Sequence, residues 1–85
     1  MNILITGVAG FIGSNIAMHL TKNKKNMIFG IDKLDNYYSV KIKKLRLKEL
    51  NKSKNFLFKK IDLVDEKKTY DFIKSKNIKL IIHMA

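Results

Sequence analysis

Residues 3–17 read ILITGVAGFIGSNIA, and three glycines stand in this stretch at steps of three residues, Gly7, Gly10 and Gly13. They lie between an isoleucine-rich run, typical of a buried strand, and a helical spacing of apolar residues. Here Gly7 allows a tight turn without a Cβ clash, Gly10 lets the backbone approach a pyrophosphate, and Gly13 lets the helix pack closely on the strand. The helix amino terminus offers free N–H groups and partial positive charge to phosphate oxygens. The stretch therefore predicts a phosphate-binding turn.

The rest of the chain continues an alternation of strands and helices. After the first strand (2–6) and the glycine stretch, the predicted elements are a strand over 27–31, a helix that follows a turn at 35–39 and runs to about Leu50, a strand over 56–61, a helix capped by Asp65 that runs through Lys76, and a strand over 78–84. This alternation predicts an α/β fold with a parallel sheet of about four strands and crossover helices.

The second predicted helix does not have a single apolar face. At helical spacing, Val40, Leu47 and Leu50 point to one side. Ile42 and Leu45 point to another side. We therefore expect this helix to present apolar groups on two sides.

An acidic residue follows the second strand at the place where a dinucleotide site needs one. Asp32 lies about 20 residues beyond Gly13, where a carboxylate accepts hydrogen bonds from the adenosine ribose hydroxyls. The same carboxylate repels the extra phosphate of NADP, so the sequence favours NAD. The alternative interpretation is an ordinary strand-to-helix turn in which Asp32 serves only as a cap.

Composition limits the classes of function. The 85 residues make one small domain without cysteine, which excludes a disulfide framework and a thiolate metal site. His19 and His83 lack the partners of a metal cluster. No apolar run approaches the roughly 20 residues of a membrane span, and no basic segment precedes the first apolar run as in a secretory signal. We expect a cytoplasmic chain that binds neither metal nor membrane.

The net charge of +11 is concentrated between residues 41 and 60, where the basic residues are opposed only by Glu49. Such a cluster attracts nucleic acid or anionic lipid. A solvated helix face in a chain rich in lysine is the other interpretation, and we favour it because no aromatic residue stands among the helical lysines to stack on bases. A small nucleic-acid-binding module is therefore kept as the alternative function of a different class.

The motifs also indicate a family. Gly-x-x-Gly-x-x-Gly, preceded by Thr6 and carrying Phe11-Ile12, resembles the extended short-chain dehydrogenase/reductase superfamily, and TGVAGFIGS is similar to its NAD-dependent nucleotide-sugar epimerase and dehydratase group. IDKLDNYYSVKIKKLRLKEL resembles the segment after the second strand in UDP-glucuronate 4-epimerases. FKKIDLVD and IIHMA resemble that family's adenine-contacting Asp-Leu and its His-x-Ala. The resemblance implies that residues 1–85 are the amino-terminal part of an NAD(P)-binding Rossmann domain with strand order 3-2-1-4. The rest of the cofactor domain and the sugar-binding domain would lie outside the chain.

The resemblance also implies which residues bind NAD. They are Gly7, Gly10, Phe11, Ile12, Gly13, Asp32, Lys33, Leu34, Asp35, Asn36, Asp62, Leu63, Met84 and Ala85. Phe11 and Ile12 would contact the pyrophosphate through their backbone, and residues 32–36 would surround the adenosine ribose. Asp62 and Leu63 would meet the adenine, whose amine donates to the carboxylate. The last two residues of the chain would run past the cofactor toward the nicotinamide. Without the family, Asp62 is equally well a turn residue before a helix.

Catalysis in such a family proceeds by hydride exchange with NAD. A tyrosine, activated by a lysine four residues later, takes the proton of a sugar hydroxyl while the cofactor takes the hydride. Two pairs have this spacing, Tyr37 with Lys41 and Tyr70 with Lys74. Tyr37 follows the second strand at the adenosine end, and Tyr70 lies inside a crossover helix, away from the ends of the strands where ligands bind. We therefore assign no catalytic residue and no metal site, and expect the chain alone to be inactive.

Three matters stay open at this point. Lys33 replaces the asparagine usual in the epimerases and is also familiar in nucleotide-sugar 4,6-dehydratases, so that reaction is kept beside the epimerase. A UDP-sugar substrate and a homodimer belong to the whole enzyme only. A third interpretation is an inert piece that does not fold alone, since the strand over 78–84 would have its edge and one face uncovered.

Overall fold

Four parallel strands alternate with three helices in residues 1–35 and 40–85, the part of the chain that the computed structural model describes. The elements are β1 (Asn2–Thr6), α1 (Phe11–Leu20), β2 (Met27–Asp32), α2 (Val40–Leu50), β3 (Phe56–Lys60), α3 (Glu66–Ser75) and β4 (Leu80–His83). The α/β alternation predicted from the apolar runs is confirmed.

The sheet has the order β3-β2-β1-β4, and all its neighbours pair in parallel. The predicted order 3-2-1-4 of a partial Rossmann fold is thus confirmed. Because the strands are parallel, their carboxyl ends all lie at one edge of the sheet. The direction of progression reverses between β1 and β4, and sheets of this kind bind ligands at such a switch point.

Two apolar clusters hold the helices to the sheet, one on each face. Ile3 and Ile5 of β1 pack on the side of α1 and α2. Leu4, the residue between them, packs on the side of α3. There the rings of Phe29 and Phe72 meet edge to face, with centroids 6.1 Å apart. The central strand is apolar on both faces because helices cover both faces.

The fourth strand, predicted over 78–84, is shorter at both ends, since it begins at Leu80 and ends at His83. Asn77 adopts a left-handed conformation (φ 52°) at the end of α3. Ile78 then donates its N–H to the carbonyl of Ile73, and Lys79 donates to Asn2 at 2.9 Å. Ile78 and Lys79 therefore form the connection between the end of α3 and the start of β4.

The outer side of α2 carries exposed apolar groups, as the spacing predicts. Leu47 and Leu50 are buried against the sheet. Ile42 and Leu45 are 49% and 55% exposed. The helix thus has one face in the core and apolar groups on its solvent side.

Two side-chain contacts set loops and helix ends. Asp65 caps α3 as predicted, because its carboxylate accepts the N–H of Lys68 at 3.1 Å. At the amino ends of the strands, the side-chain amide of Asn55 donates to the carbonyls of Thr21 and Asn26 at 2.9 and 3.1 Å.

Within the described ranges no helix is long and apolar enough to cross a membrane.

Candidate functional site

The glycine turn begins directly after β1. Gly7 has a φ of +67°, a conformation that side chains rarely allow. A Cβ on Gly7 would lie 2.8 Å from the carbonyl carbon and oxygen of Met84. The turn is closed by the N–H of Gly10, which donates to the carbonyl of Gly7 at 3.1 Å. Only glycine fits the first position, both for its conformation and for the backbone that follows β4.

The other two glycines of the motif bring α1 close to the turn. A Cβ on Gly13 would overlap the carbonyl oxygen of Gly7, while a Cβ on Gly10 would lie 3.2 Å from that same oxygen. The expected close packing at Gly13 is therefore present, but its partner is the turn from Gly7 to Val8 rather than the strand. Gly10, as the residue before the helix, leaves its amino terminus without a side-chain cap.

The first turn of α1 is open to an anion. It contains no acidic residue, and Phe11 and Ile12 are 70% and 57% exposed. The first N–H groups of a helix have no intrahelical partner, and together with the helix dipole they favour negative charge. This end of α1 can hold phosphate oxygens.

Asp32 at the end of β2 is tied to the glycine turn. Its Oδ2 accepts the N–H of Ala9 at 3.0 Å, and its Oδ1 accepts the N–H of Leu34 at 2.8 Å. The residue is only 8% exposed. A carboxylate has about four acceptor positions, so each oxygen can still accept one hydroxyl. The second-strand carboxylate and the glycine turn predicted from their spacing are brought together.

The residues after Asp32 form a charged cluster. Asp35 lies 3.4 Å from the ammonium groups of both Lys33 and Lys43. The side chain of Lys43 is only 10% exposed. Leu34 has a positive φ of 55°, which accompanies its hydrogen bond to Asp32. Asn36, predicted to contact the ribose, lies outside the described residues.

Asp62 and Leu63 follow β3 at the same edge of the sheet. Oδ1 of Asp62 accepts the N–H of Val64 at 3.1 Å, and its carbonyl accepts the N–H of Asp65 at 2.9 Å. The side chain is exposed, while Leu63 packs against the cluster under α3. Asp62 thus shapes the turn before α3, and a contact with adenine stays a prediction.

Met84 and Ala85 are held beside the glycine turn by Thr6. The N–H of Met84 donates to the carbonyl of Thr6 at 3.1 Å and to its hydroxyl at 3.0 Å. The N–H of Ala85 donates to that hydroxyl at 3.3 Å. The structure therefore brings the ends of β1 and β4 together at the switch point. The structural role of Thr6 was not foreseen from the sequence, although the motif includes this residue.

Arg46 is a second residue at the site that the sequence interpretation missed. Its Nη1 donates to the carbonyl of Ala9 at 3.1 Å, and its guanidinium lies 5.8 Å from the centre of the Phe11 ring. One signal was available, because Arg46 is the sole arginine among 18 basic residues. A planar group with several donors is needed where one side chain must both stack and donate.

Of the two Tyr-x-x-x-Lys pairs, only Tyr70 with Lys74 lies wholly within the described residues. Tyr70 is 63% exposed on α3, and the ammonium of Lys74 lies 5.9 Å from the centre of its ring. Tyr37 lies outside the described residues. Among those described, no group of three side chains is placed to hold a metal ion.

Comparison with known proteins places this geometry in a family. The family model for GDP-mannose 4,6 dehydratase matches residues 4–85. A UDP-glucuronate 4-epimerase of Thermodesulfobacterium geofontis is 40% identical over 82 residues, which cover 96% of this chain and 25% of the relative. A dTDP-D-glucose 4,6-dehydratase of Dictyostelium discoideum is 42% identical over 84 residues, with coverage of 98% and 18%.

A solved structure has the same fold. The UDP-glucuronic acid 4-epimerase of Bacillus cereus, in complex with UDP-glucuronic acid and NAD, superposes with a TM-score of 0.90 and 29% identity. The match covers 100% of this chain and 26% of that one. The chain thus spans about a quarter or less of the length of these proteins. The resemblance to nucleotide-sugar epimerases and dehydratases is confirmed. Because the family model matches residues 4–85, the chain belongs to the GDP-mannose 4,6 dehydratase family.

Proposed function

We propose that residues 1–85 form the amino-terminal part of the NAD-binding Rossmann domain of a nucleotide-sugar epimerase. The reaction proposed for the whole enzyme is epimerisation at C4 of UDP-glucuronate. The observation that carries the proposal is the buried carboxylate of Asp32, which lies against the backbone of Ala9 in the glycine turn. It joins the two halves of a dinucleotide site, one for ribose and one for diphosphate.

The described residues fit NAD in two respects. Asp32 keeps free acceptor positions for the two ribose hydroxyls, since its protein partners are the N–H groups of Ala9 and Leu34. Gly10 leaves the start of α1 free of a side chain, so the diphosphate can reach the helix N–H groups. NADP fits less well, because a unit charge 4 Å from the carboxylate would be repelled by about 4 kcal/mol at an effective dielectric constant of 20.

The remaining contacts are proposed along the edge of the sheet. Residues 33–36 would complete the ribose site, and Asp62 with Leu63 would meet the adenine. Met84 and Ala85 would lie toward the nicotinamide, beside Gly7. The proposal is supported by the fact that all these positions follow the carboxyl ends of parallel strands.

Bound NAD supplies an acceptor for the hydride from C4 of the sugar. The residues of this chain bind and orient the cofactor and favour NAD over NADP. We propose that the tyrosine base, its lysine and the sugar-binding residues belong to further sequence of the whole enzyme. An in-frame Tyr-x-x-x-Lys downstream of codon 85, after a fifth strand, is the expected finding.

A 4,6-dehydratase is the second candidate. It is favoured by the resemblance at Lys33, where the epimerases usually have asparagine and a lysine is familiar in the 4,6-dehydratases. In this chain the Lys33 ammonium pairs with Asp35 at 3.4 Å. Both reactions begin with oxidation at C4, so the cofactor site proposed here serves either. The product that the whole enzyme forms from UDP-glucuronate or dTDP-glucose distinguishes them.

Calorimetric titration of the 85-residue chain with NAD and NADP tests the cofactor assignment. We expect NAD to bind at least about tenfold more tightly than NADP, since the repulsion estimated above exceeds 1.4 kcal/mol. Asp32→Ala should lower the affinity of the chain for NAD. Asp32→Asn should reduce the difference in affinity between NAD and NADP. Asp71→Asn is the matched control, because this exposed carboxylate pairs only with Lys67 on α3 among the described residues. A wild-type chain that gives no heat with NAD, or an Asp32→Ala variant that binds it unchanged, contradicts the proposal.

A further inference from the structure

Arg46 reaches the glycine turn from α2. Its Nη1 donates to the carbonyl of Ala9 at 3.1 Å, and its guanidinium stacks over the ring of Phe11 at 5.8 Å. These contacts are made to residues just before and at the start of α1. One side chain of a neighbouring helix therefore holds both sides of the point where the turn becomes a helix.

Ala9 is fixed by two opposite charges. Asp32 accepts its N–H at 3.0 Å, and Arg46 donates to its carbonyl oxygen. The N–H and the carbonyl of a residue belong to successive peptide planes, so both planes around Ala9 are oriented. Hydrogen bonds that involve a charged partner are the stronger ones. The turn conformation that presents backbone to a diphosphate thus depends on this pair.

The charge of Arg46 is available to a ligand. No described carboxylate lies within ion-pair distance of it, and its helical neighbour Glu49 is paired with Lys52 at 3.0 Å. The first turn of α1 has no acidic residue either. The guanidinium therefore adds full positive charge beside the partial charge of the helix end.

We propose that Arg46 is a positioning residue for the diphosphate of the dinucleotide, acting through Ala9 and Phe11. The inference rests on the proposed function of this site. A lysine at position 46 would keep the charge, but it lacks the planar group that stacks and donates at once.

The test compares ADP with adenosine, which differ only in the diphosphate. Affinities are measured by titration of backbone amide shifts in the wild-type chain, Arg46→Met and Arg46→Lys. We expect Arg46→Met to lower the affinity for ADP about tenfold or more, as for loss of a hydrogen bond to a charged group. The affinity for adenosine should change by less than about twofold. Arg46→Lys should lie between Arg46→Met and wild type. Lys44→Met is the matched control, since it removes one exposed charge from the same helix, and it should leave ADP binding within about twofold.

The outcomes separate positioning from folding. A merely structural role predicts that Arg46→Met weakens ADP and adenosine equally, and this result would overturn the inference. Equal ADP affinity in Arg46→Met and Lys44→Met would also overturn it. If Arg46→Met does not fold, the test relies on Arg46→Lys. If this variant has the same ADP affinity as the wild type and the same amide shifts at Ala9 and Phe11, the inference is wrong. If the wild-type chain does not bind NAD, both the proposed function and this inference are wrong. If it binds NAD and the Arg46 variants bind ADP as tightly as the wild type, only this inference is wrong.

Discussion

The hydroxyl of Thr6 and the ring nitrogen Nδ1 of His83 lie 2.7 Å apart across the β1–β4 pair. The same hydroxyl oxygen accepts N–H groups from Met84 and Ala85. Because this oxygen accepts two N–H groups, we expect it to donate its own proton to Nδ1 of His83, which leaves the ring proton on Nε2. This network joins the strand that precedes the glycine turn to the strand on the other side of the switch point.

Loss of the Thr6 hydroxyl should loosen the end of β4. Thr6 is only 3% exposed, and its hydroxyl makes part-buried contacts with His83, Met84 and Ala85. Thr6→Val removes these contacts and should lower the free energy of unfolding by about 0.5–1.5 kcal/mol. Thr6→Ser keeps the hydroxyl and is the control. Urea denaturation measures both. The NMR chemical shifts of the two His83 ring nitrogens, measured above neutral pH, show which nitrogen carries the proton. A proton on Nδ1 in the wild-type chain would contradict the network.

Gly13 and Gly10 should respond differently to alanine. Gly13→Ala drives a Cβ into the carbonyl of Gly7, so we expect a loss of about 1–3 kcal/mol or more of stability despite the better helix propensity of alanine. Gly10→Ala meets that oxygen at 3.2 Å, so it should fold with a smaller loss but bind NAD more weakly. Denaturation and calorimetry on both variants check this contrast. Equal stability of the two, or unchanged NAD binding by Gly10→Ala, would argue against it.

Much of this fold could be predicted because its signals are local. The apolar runs of β1 and β2 report burial on both faces, and the spacing from the glycines to Asp32 reports a shared edge of a parallel sheet. Arg46 could not be placed this way, because its hydrogen bond to Ala9 joins residues 37 positions apart. The start of β4 was misjudged for a related reason. Ile78 is apolar like a strand residue, but the left-handed turn at Asn77 holds it at the end of α3.

The two edge strands should differ in their tendency to associate. β4 contains no lysine and exposes Leu80 and Ile81, whereas β3 ends in exposed Lys59 and Lys60. Lysines on an edge strand discourage pairing with another chain. We therefore expect the 85-residue chain to self-associate through β4. In sedimentation experiments Ile81→Lys should raise the monomer fraction, and the matched change on β3, Leu57→Lys, should not. An equal effect of both variants would point to net charge instead.

Nucleic-acid binding should be weak and governed by salt. Lys41, Lys44 and Lys48 are exposed on α2, and none pairs with an acidic residue of the described ranges. We expect a DNA duplex to bind no more tightly than about 10⁻⁶ M at physiological salt, with affinity falling steeply as salt rises. A gel-shift salt series measures this. Tight binding that persists at physiological salt and survives loss of the three lysines would favour a nucleic-acid module over a cofactor domain.

The side-chain amide of Asn55 fastens two loops at the amino ends of the strands, while the glycine turn and Asp32 lie at the carboxyl ends. Strands of five to six residues separate the two ends by about 17–20 Å. Substitutions that tune ligand preference are therefore made far from the loops that this amide fastens. Such a layout would let cofactor preference change through substitutions at one end of the sheet, while the loops at the other end continue to support folding.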